Sequence, residues 1–179
     1  LPPLLLVSPS PAWADIFQWE YINPADPSQG KRQSTTLAPD GAGVDAVPGA
    51  NLWYRNLTMA YLIGADLTGA FGERANLTNA DLSQANLTNV SFYEATLTGA
   101  DFREANLANA NFYFATLTDA DFSGADLSHA ALNGAILRNA SLVGANLFGA
   151  DFSGVSRRVG LPVYYADLTG ADFSGADVR

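Results

Sequence analysis

The chain has no cysteine. That excludes a disulfide scaffold and leaves no thiolate for metal or redox chemistry. It has a single histidine, His129, which excludes a two-histidine zinc site and the helix of a zinc metalloprotease. Cationic side chains are scarce: nine Lys and Arg stand against eighteen Asp and Glu, for a net charge of −9 in 179 residues. Such a chain has no basic surface with which to displace phosphate counterions, which opposes nucleic-acid binding. It leaves room for a basic partner, or for mimicry of nucleic acid itself. Also missing is any apolar run approaching the roughly eighteen residues of a membrane span. Apolar residues nevertheless make up 48% of the chain, too many for a disordered tail. The length allows one domain of ordinary size.

The N-terminus reads as an address. Leu1 to Val7 is a Leu/Pro-rich apolar run, followed by Ser8-Pro9-Ser10-Pro11 and the small-x-small triplet Ala12-Trp13-Ala14. That pattern resembles the second half of a secretory signal peptide cleaved after Ala14. Residues 1–14 are therefore expected to be a signal-peptide remnant. The mature chain would begin at Asp15 and work in the periplasm, at the cell surface or in a thylakoid lumen.

From Ala50 onward the sequence repeats every five residues. Twenty-one centres run in register from Leu52 to Phe152: fifteen Leu, five Phe and Gly72. The residue two before the centre is Ala in all but two repeats, where Arg55 and Val90 stand. In an extended segment these two positions share one side and the Asp, Asn, Ser or Thr between them faces the other. Five is odd, so an unbroken strand would flip its apolar face at each repeat. Every unit must turn a corner, and Gly, Asn, Asp and Thr cluster after the centre as turn chemistry requires. A helix is a poor alternative, because five is far from 3.6. Phe centres at 92, 102, 112, 122 and 152 fall only on alternate repeats. Three repeats per turn would scatter them, whereas four confine them to two opposite sides.

Units such as Ala75-Asn76-Leu77-Thr78-Asn79 and Ala120-Asp121-Phe122-Ser123-Gly124 follow the pattern A(D/N)LXX. The chain resembles the pentapeptide repeat family from Ala50 to its end. The resemblance implies an all-β fold, a right-handed quadrilateral parallel β-helix, here of about five to six coils with an N-terminal capping segment. Leu57, Leu77, Phe92, Leu97, Phe102, Leu107, Phe112, Leu117, Phe122 and Leu127 are expected to form its core.

The organisation expected is a capping strand and loop over 15–49, repeats over 50–154, an interrupting loop over 155–165 and further repeats over 166–179. Phe17, Trp19 and Tyr21 alternate with Gln18 and Glu20, which suits a strand laid over the first coil, with ordered loop from Asn23 to Gly49 around the base. At Gly72 the register is expected to distort, with Phe71 or Phe92 filling the gap. The eleven-residue break reads as two repeats plus one bulged residue. That would return Phe173 to the side of Phe152 and Leu168 to that of Leu147. The C-terminal coil, with no capping helix in the sequence, is the expected place for an end-to-end homodimer.

Three outward columns stand out at twenty-residue spacing. Trp53, Tyr93 and Tyr113, with Tyr54 and Phe114 beside them, form an aromatic face suited to a partner protein. The N-terminal segment is expected to cover its lower part near Trp53 and to leave Tyr93, Tyr113 and Phe114 open. Asp81, Asp101 and Asp121 read as solvated, mutually repelling acids on a flat wall without the concavity that catalysis needs. Thr58, Thr78, Thr98 and Thr118 read as a strand-favouring hydroxyl ladder. No residue set points to an enzyme, a metal or a cofactor. The leading reading is an exported, non-enzymatic structural or protein-interaction module with an unknown protein partner, no nucleic acid and no membrane span. The resemblance implies an alternative: some cytoplasmic members of the family mimic duplex DNA and bind DNA gyrase, so a DNA mimic directed at gyrase or another nucleic-acid-binding protein is the second reading. The block 50–154 carries ten acids against four Arg, a modest charge for a mimic.

Overall fold

The computed structural model describes residues 15–21, 25–154 and 165–178. The leader, 1–14, and nearly all of the break, 155–164, lie outside the described residues. From Asn51 to Ala131, the residue before each centre forms a parallel bridge to the residue twenty positions later. Asn51 to Phe71, Asn56 to Asn76, Tyr61 to Asp81 and Asp66 to Asn86 begin four such ladders. A step of twenty is four repeats, which excludes three per turn. The four stacks of repeats are walls, numbered in chain order from the centres Leu52, Leu57, Leu62 and Leu67, so the first wall lies opposite the third.

Each repeat turns its corner in a β-turn. The carbonyl of the centre accepts from the N–H three residues on, as Leu52 O does from Arg55 at 3.1 Å and Leu107 O from Ala110 at 2.9 Å. The third residue of the turn has φ between +55° and +69° at every fifth position from Tyr54 to Gly149. This is the requirement of a type II turn, and no β-branched residue occupies any of these positions. The Asp or Asn before the centre braces the same turn. Asn76 Oδ1 accepts the Thr78 N–H at 3.1 Å and the Thr78 hydroxyl at 2.6 Å, an Asx turn. Thr58 does the same with Asn56. In these two repeats the hydroxyls bond within their own corner rather than along a Thr ladder.

The interior is filled by the centres and the alanines. All ten of the expected core residues, from Leu57 to Leu127, are fully buried. Phe rings from the first and third walls meet along the axis: Phe102 stacks on Phe122 with centroids 4.8 Å apart, and Phe112 meets both edge-on at 6.1 and 5.9 Å. Gly72 leaves the register intact, since Phe71 bridges Asn51 below and Ser91 above. The Phe92 ring takes the vacated space, 2.7 Å from where a Cβ at Gly72 would sit.

The break is resolved differently from the sequence expectation. Ile136 bridges Asp167, Ser141 bridges Asp172 and Asn146 bridges Asp177. Leu168 therefore follows Leu137 on the second wall, and Phe173 follows Leu142 on the third, opposite Phe152. The bridged partners stand thirty-one residues apart across the break, eleven more than elsewhere in the stack. The last described centre before the break, Phe152, is on the first wall, and the first one after it, Leu168, is on the second.

At the base, β1 (Phe17–Tyr21) pairs antiparallel with β2 (Lys31–Leu37), joined through a short 3₁₀ turn at Pro27–Gln29. The segment expected to be loop from 23 to 49 thus contains a strand. Its sequence, KRQSTTL, has no apolar alternation to read, because most of its side chains are exposed. β1 joins the first coil through the antiparallel bridge of Gln18 to Ala60 and the Tyr61 N–H to Phe17 O bond of 2.6 Å. Residues 38–50 close the bottom: Ile16, Ala38, Val44 and Ala50 are buried, and Asp40 caps the second wall through Asn56 N–H at 2.7 Å.

Candidate functional site

The hairpin's far end lies on the third wall. Lys31, the only lysine in the chain, places Nζ 2.7 Å from Asp81 Oδ2 and 3.2 Å from Asp101 Oδ2. Arg103 grips Asp101 with both arms of its guanidinium, at 2.8 and 2.6 Å, and lies 3.8 Å from Asp121. The lower two acids of the column are therefore paired rather than solvated, Asp81 being 1% exposed and Asp101 9%, while the Asp121 side chain keeps 41% of its surface in water. Burial pushes the Asp101 carboxyl up, but the Arg103 hydrogen bonds and the nearby Lys31 charge outweigh it and hold it below the usual value. A cleft of about 510 Å³ between hairpin and wall is lined by Ser28, Lys31, Asp81, Ser83 and Arg103 among others. Its charged groups already answer one another. Among the described residues, no group of three or more His, Asp or Glu is placed to hold a metal ion.

The aromatic face lies on the opposite, first wall, so the described hairpin does not cover Trp53. The structure reverses the expected division of this face. Trp53 and Tyr54 are 56% and 57% exposed, their rings tilted together at 5.4 Å. Tyr93, Tyr113 and Phe114 are only half-exposed, because Phe114 meets the edges of both tyrosines at 6.4 and 6.3 Å. The two groups are separated by a polar band. Arg74 pairs with Glu94 at 2.7 Å, donates to the Tyr54 hydroxyl and lies over the Tyr54 ring at 5.4 Å from its centroid. Higher on the wall, Asn133 is buried and bonds Ser153, which ends the aromatic column.

Two residues of this wall escaped sequence reasoning. Phe71, 55% exposed, stands where most repeats have Asp, Asn, Ser or Thr. Its departure from that pattern was legible, but the neighbouring Gly72 made it look like a core substitute. Glu73 interrupts the aromatic column between Trp53 and Tyr93. With Asn51 and Trp53 they line an open cleft of about 300 Å³. Tyr54 and Phe114 are also unusual as corners, since both hold large aromatics at φ of +57°, where Gly or Asn would be less strained.

The sequence profile for pentapeptide repeats matches eight copies, over residues 56–92, 85–124 and 117–154. No curated protein matches the chain in sequence. Among solved structures, the chain is similar to the pentapeptide repeat protein Rfr23 from the cyanobacterium Cyanothece 51142. The identity is 30% and the TM-score 0.41, over 64% of this chain and 60% of that one. It is also similar to HetL, a pentapeptide repeat protein involved in heterocyst differentiation regulation in Nostoc sp. strain PCC 7120 (29%, TM-score 0.31, 72% and 68%). A third similar structure is a pentapeptide repeat protein from the Arabidopsis thaliana thylakoid lumen (33%, TM-score 0.21, 64% and 71%). The chain thus spans three fifths of the Rfr23 chain. With the profile covering more than half of the residues, and four ladders of five-residue units stacked in register beneath it, the chain belongs to the pentapeptide repeat family.

Proposed function

We propose that the chain is an exported, non-enzymatic scaffold, a right-handed quadrilateral β-helix of five to six coils that receives a partner protein on its first wall. One observation carries the reading: Trp53, Tyr54 and Phe71 are neighbours on one flat wall and each more than half exposed, a cluster of three large aromatics. Exposed aromatic surface of this kind marks association sites. The export part of the proposal rests on the apolar run and the Ala12-Trp13-Ala14 triplet. It is checked by mass spectrometry of the native N-terminus, where Asp15 is the expected first residue and a retained leader would count against export. The partner face is checked by affinity capture from the matching compartment. Trp53→Ser with Phe71→Ser should abolish recovery of a partner that the unaltered protein retains, and unchanged recovery would refute this use of the wall.

The gyrase-directed mimic draws less support. A mimic needs a row of unanswered negative charge, and Asp81 and Asp101 are answered by Lys31 and Arg103.

A further inference from the structure

We infer that the cleft at the base of the first wall is a binding site for an arginine side chain presented by a basic polypeptide partner, an inference that rests on the first wall being the partner face. The four residues form a rectangle of two columns by two coils. Asn51 lies below Phe71, to which it is bridged, and Trp53 lies below Glu73, with the Tyr54 N–H bonded to Glu73 O at 3.1 Å. Trp53 and Phe71 offer aromatic rings that are more than half exposed, and ring faces attract cations. Glu73 supplies a carboxylate beside them, and it has no side-chain partner among the described residues. Its nearest basic neighbours in sequence are committed elsewhere: Arg74 to Glu94 and Tyr54, and Arg55 to the Asp40 carbonyl at 3.2 Å.

This combination selects by chemistry. An anion would meet Glu73 and a chain of net charge −9. An uncharged apolar ligand would desolvate the Glu73 carboxylate without replacing its hydrogen bonds. A guanidinium is planar and weakly hydrated, so it can lie against a ring while forking to a carboxylate; an ammonium holds its water more tightly and does this less well. The protein's net charge would in addition speed the encounter with a basic segment.

The test uses the full chain and the peptide acetyl-Gly-Arg-Gly-Arg-Gly-amide, followed by the shifts of the Trp53 indole and the Phe71 and Glu73 amides in NMR titration. Saturable movement of these signals is expected, with Glu73→Gln weakening binding about tenfold, the loss of one charge-assisted pair. Glu104→Gln, on the opposite wall, should change it less than about twofold, as for a screened remote charge. On the unaltered protein, the same peptide with citrulline in place of arginine should not bind, which keeps the test decisive if a variant folds poorly. Absence of these shifts, equal binding of the citrulline peptide, or a Glu73→Gln effect no larger than that of Glu104→Gln would overturn the arginine site. Partner capture that still depends on Trp53 and Phe71 after such a result would leave the wall reading standing. Capture indifferent to both would remove the wall reading itself.

Discussion

At the scale of single residues, each position of the repeat answers to a different physical demand. The centre fills a narrow interior whose opposing walls cannot close around a hole. Leu107→Ala should therefore cost about 2–5 kcal/mol, read from denaturant midpoints. Asn106 faces outward but is not idle, since its Oδ1 accepts the Ala108 N–H at 3.1 Å. Asn106→Ala should cost up to about 1 kcal/mol, the worth of one exposed turn-bracing bond. Equal losses would mean that the inward and outward positions are misassigned. Gly72 is the converse case. A methyl there would sit 2.7 Å from the Phe92 ring, so Gly72→Ala should destabilise by about 1–3 kcal/mol through overpacking. In combination with Phe92→Leu, which clears the space, the two changes should be far from additive. Additivity in that cycle would show that the ring is not what excludes the methyl.

At the scale of elements, the hairpin is fastened to the third wall through the ion pairs of Lys31 with Asp81 and Asp101 as well as through backbone bonds from β1. Removal of Lys31 strands a buried carboxylate at Asp81, for which the cost is about 3–5 kcal/mol. Lys31→Met should thus loosen the hairpin, seen as faster hydrogen exchange across β1 and β2, and Asp81→Leu in the same chain should restore much of the loss. The Asp101 carboxyl gives the fastening a pH dependence of known sign. Its folded value lies below the ordinary one, so its contribution is complete above about pH 4, the unfolded carboxylate range. It disappears as the pH falls through the lower folded value. Accordingly, Asp101→Asn should be less stable than the unaltered protein at neutral pH and converge with it in strong acid. A gap that persists or widens on acidification would contradict the arrangement.

At the scale of the whole molecule, the aromatic wall divides into a part that belongs to the fold and a part that is offered to solvent. Tyr93, Tyr113 and Phe114 cover one another edge to face, and each such contact contributes about 0.5–1.5 kcal/mol beyond burial. Replacing Tyr93 and Tyr113 together by Ser should therefore measurably lower the unfolding midpoint. Trp53→Ser with Phe71→Ser should leave it nearly unchanged, since both rings are mostly in water. The opposite ranking would move the partner face up the wall to the tyrosines.

The period of five, the inward Ala and Leu or Phe, and the corner after each centre are all dictated by the sequence itself. So is the choice of four repeats per turn, because the Phe centres keep to alternate repeats. These features are repeated every few residues, and each coil contacts only its neighbours, so the information is local and redundant. The features that only the tertiary structure decided are those stated once. Four walls of similar chemistry compete for the hairpin, and a single lysine meeting Asp81 and Asp101 accompanies its place on the third. The same docking paired Lys31 with Asp81 and Asp101 of an apparently solvated acid column and left Trp53 open. At the break, the register follows from the pairing of Asp167 with Ile136, which the number of intervening residues does not fix. A repeat specifies its own stacking. What lies across the stack is set by long-range contacts that no period encodes.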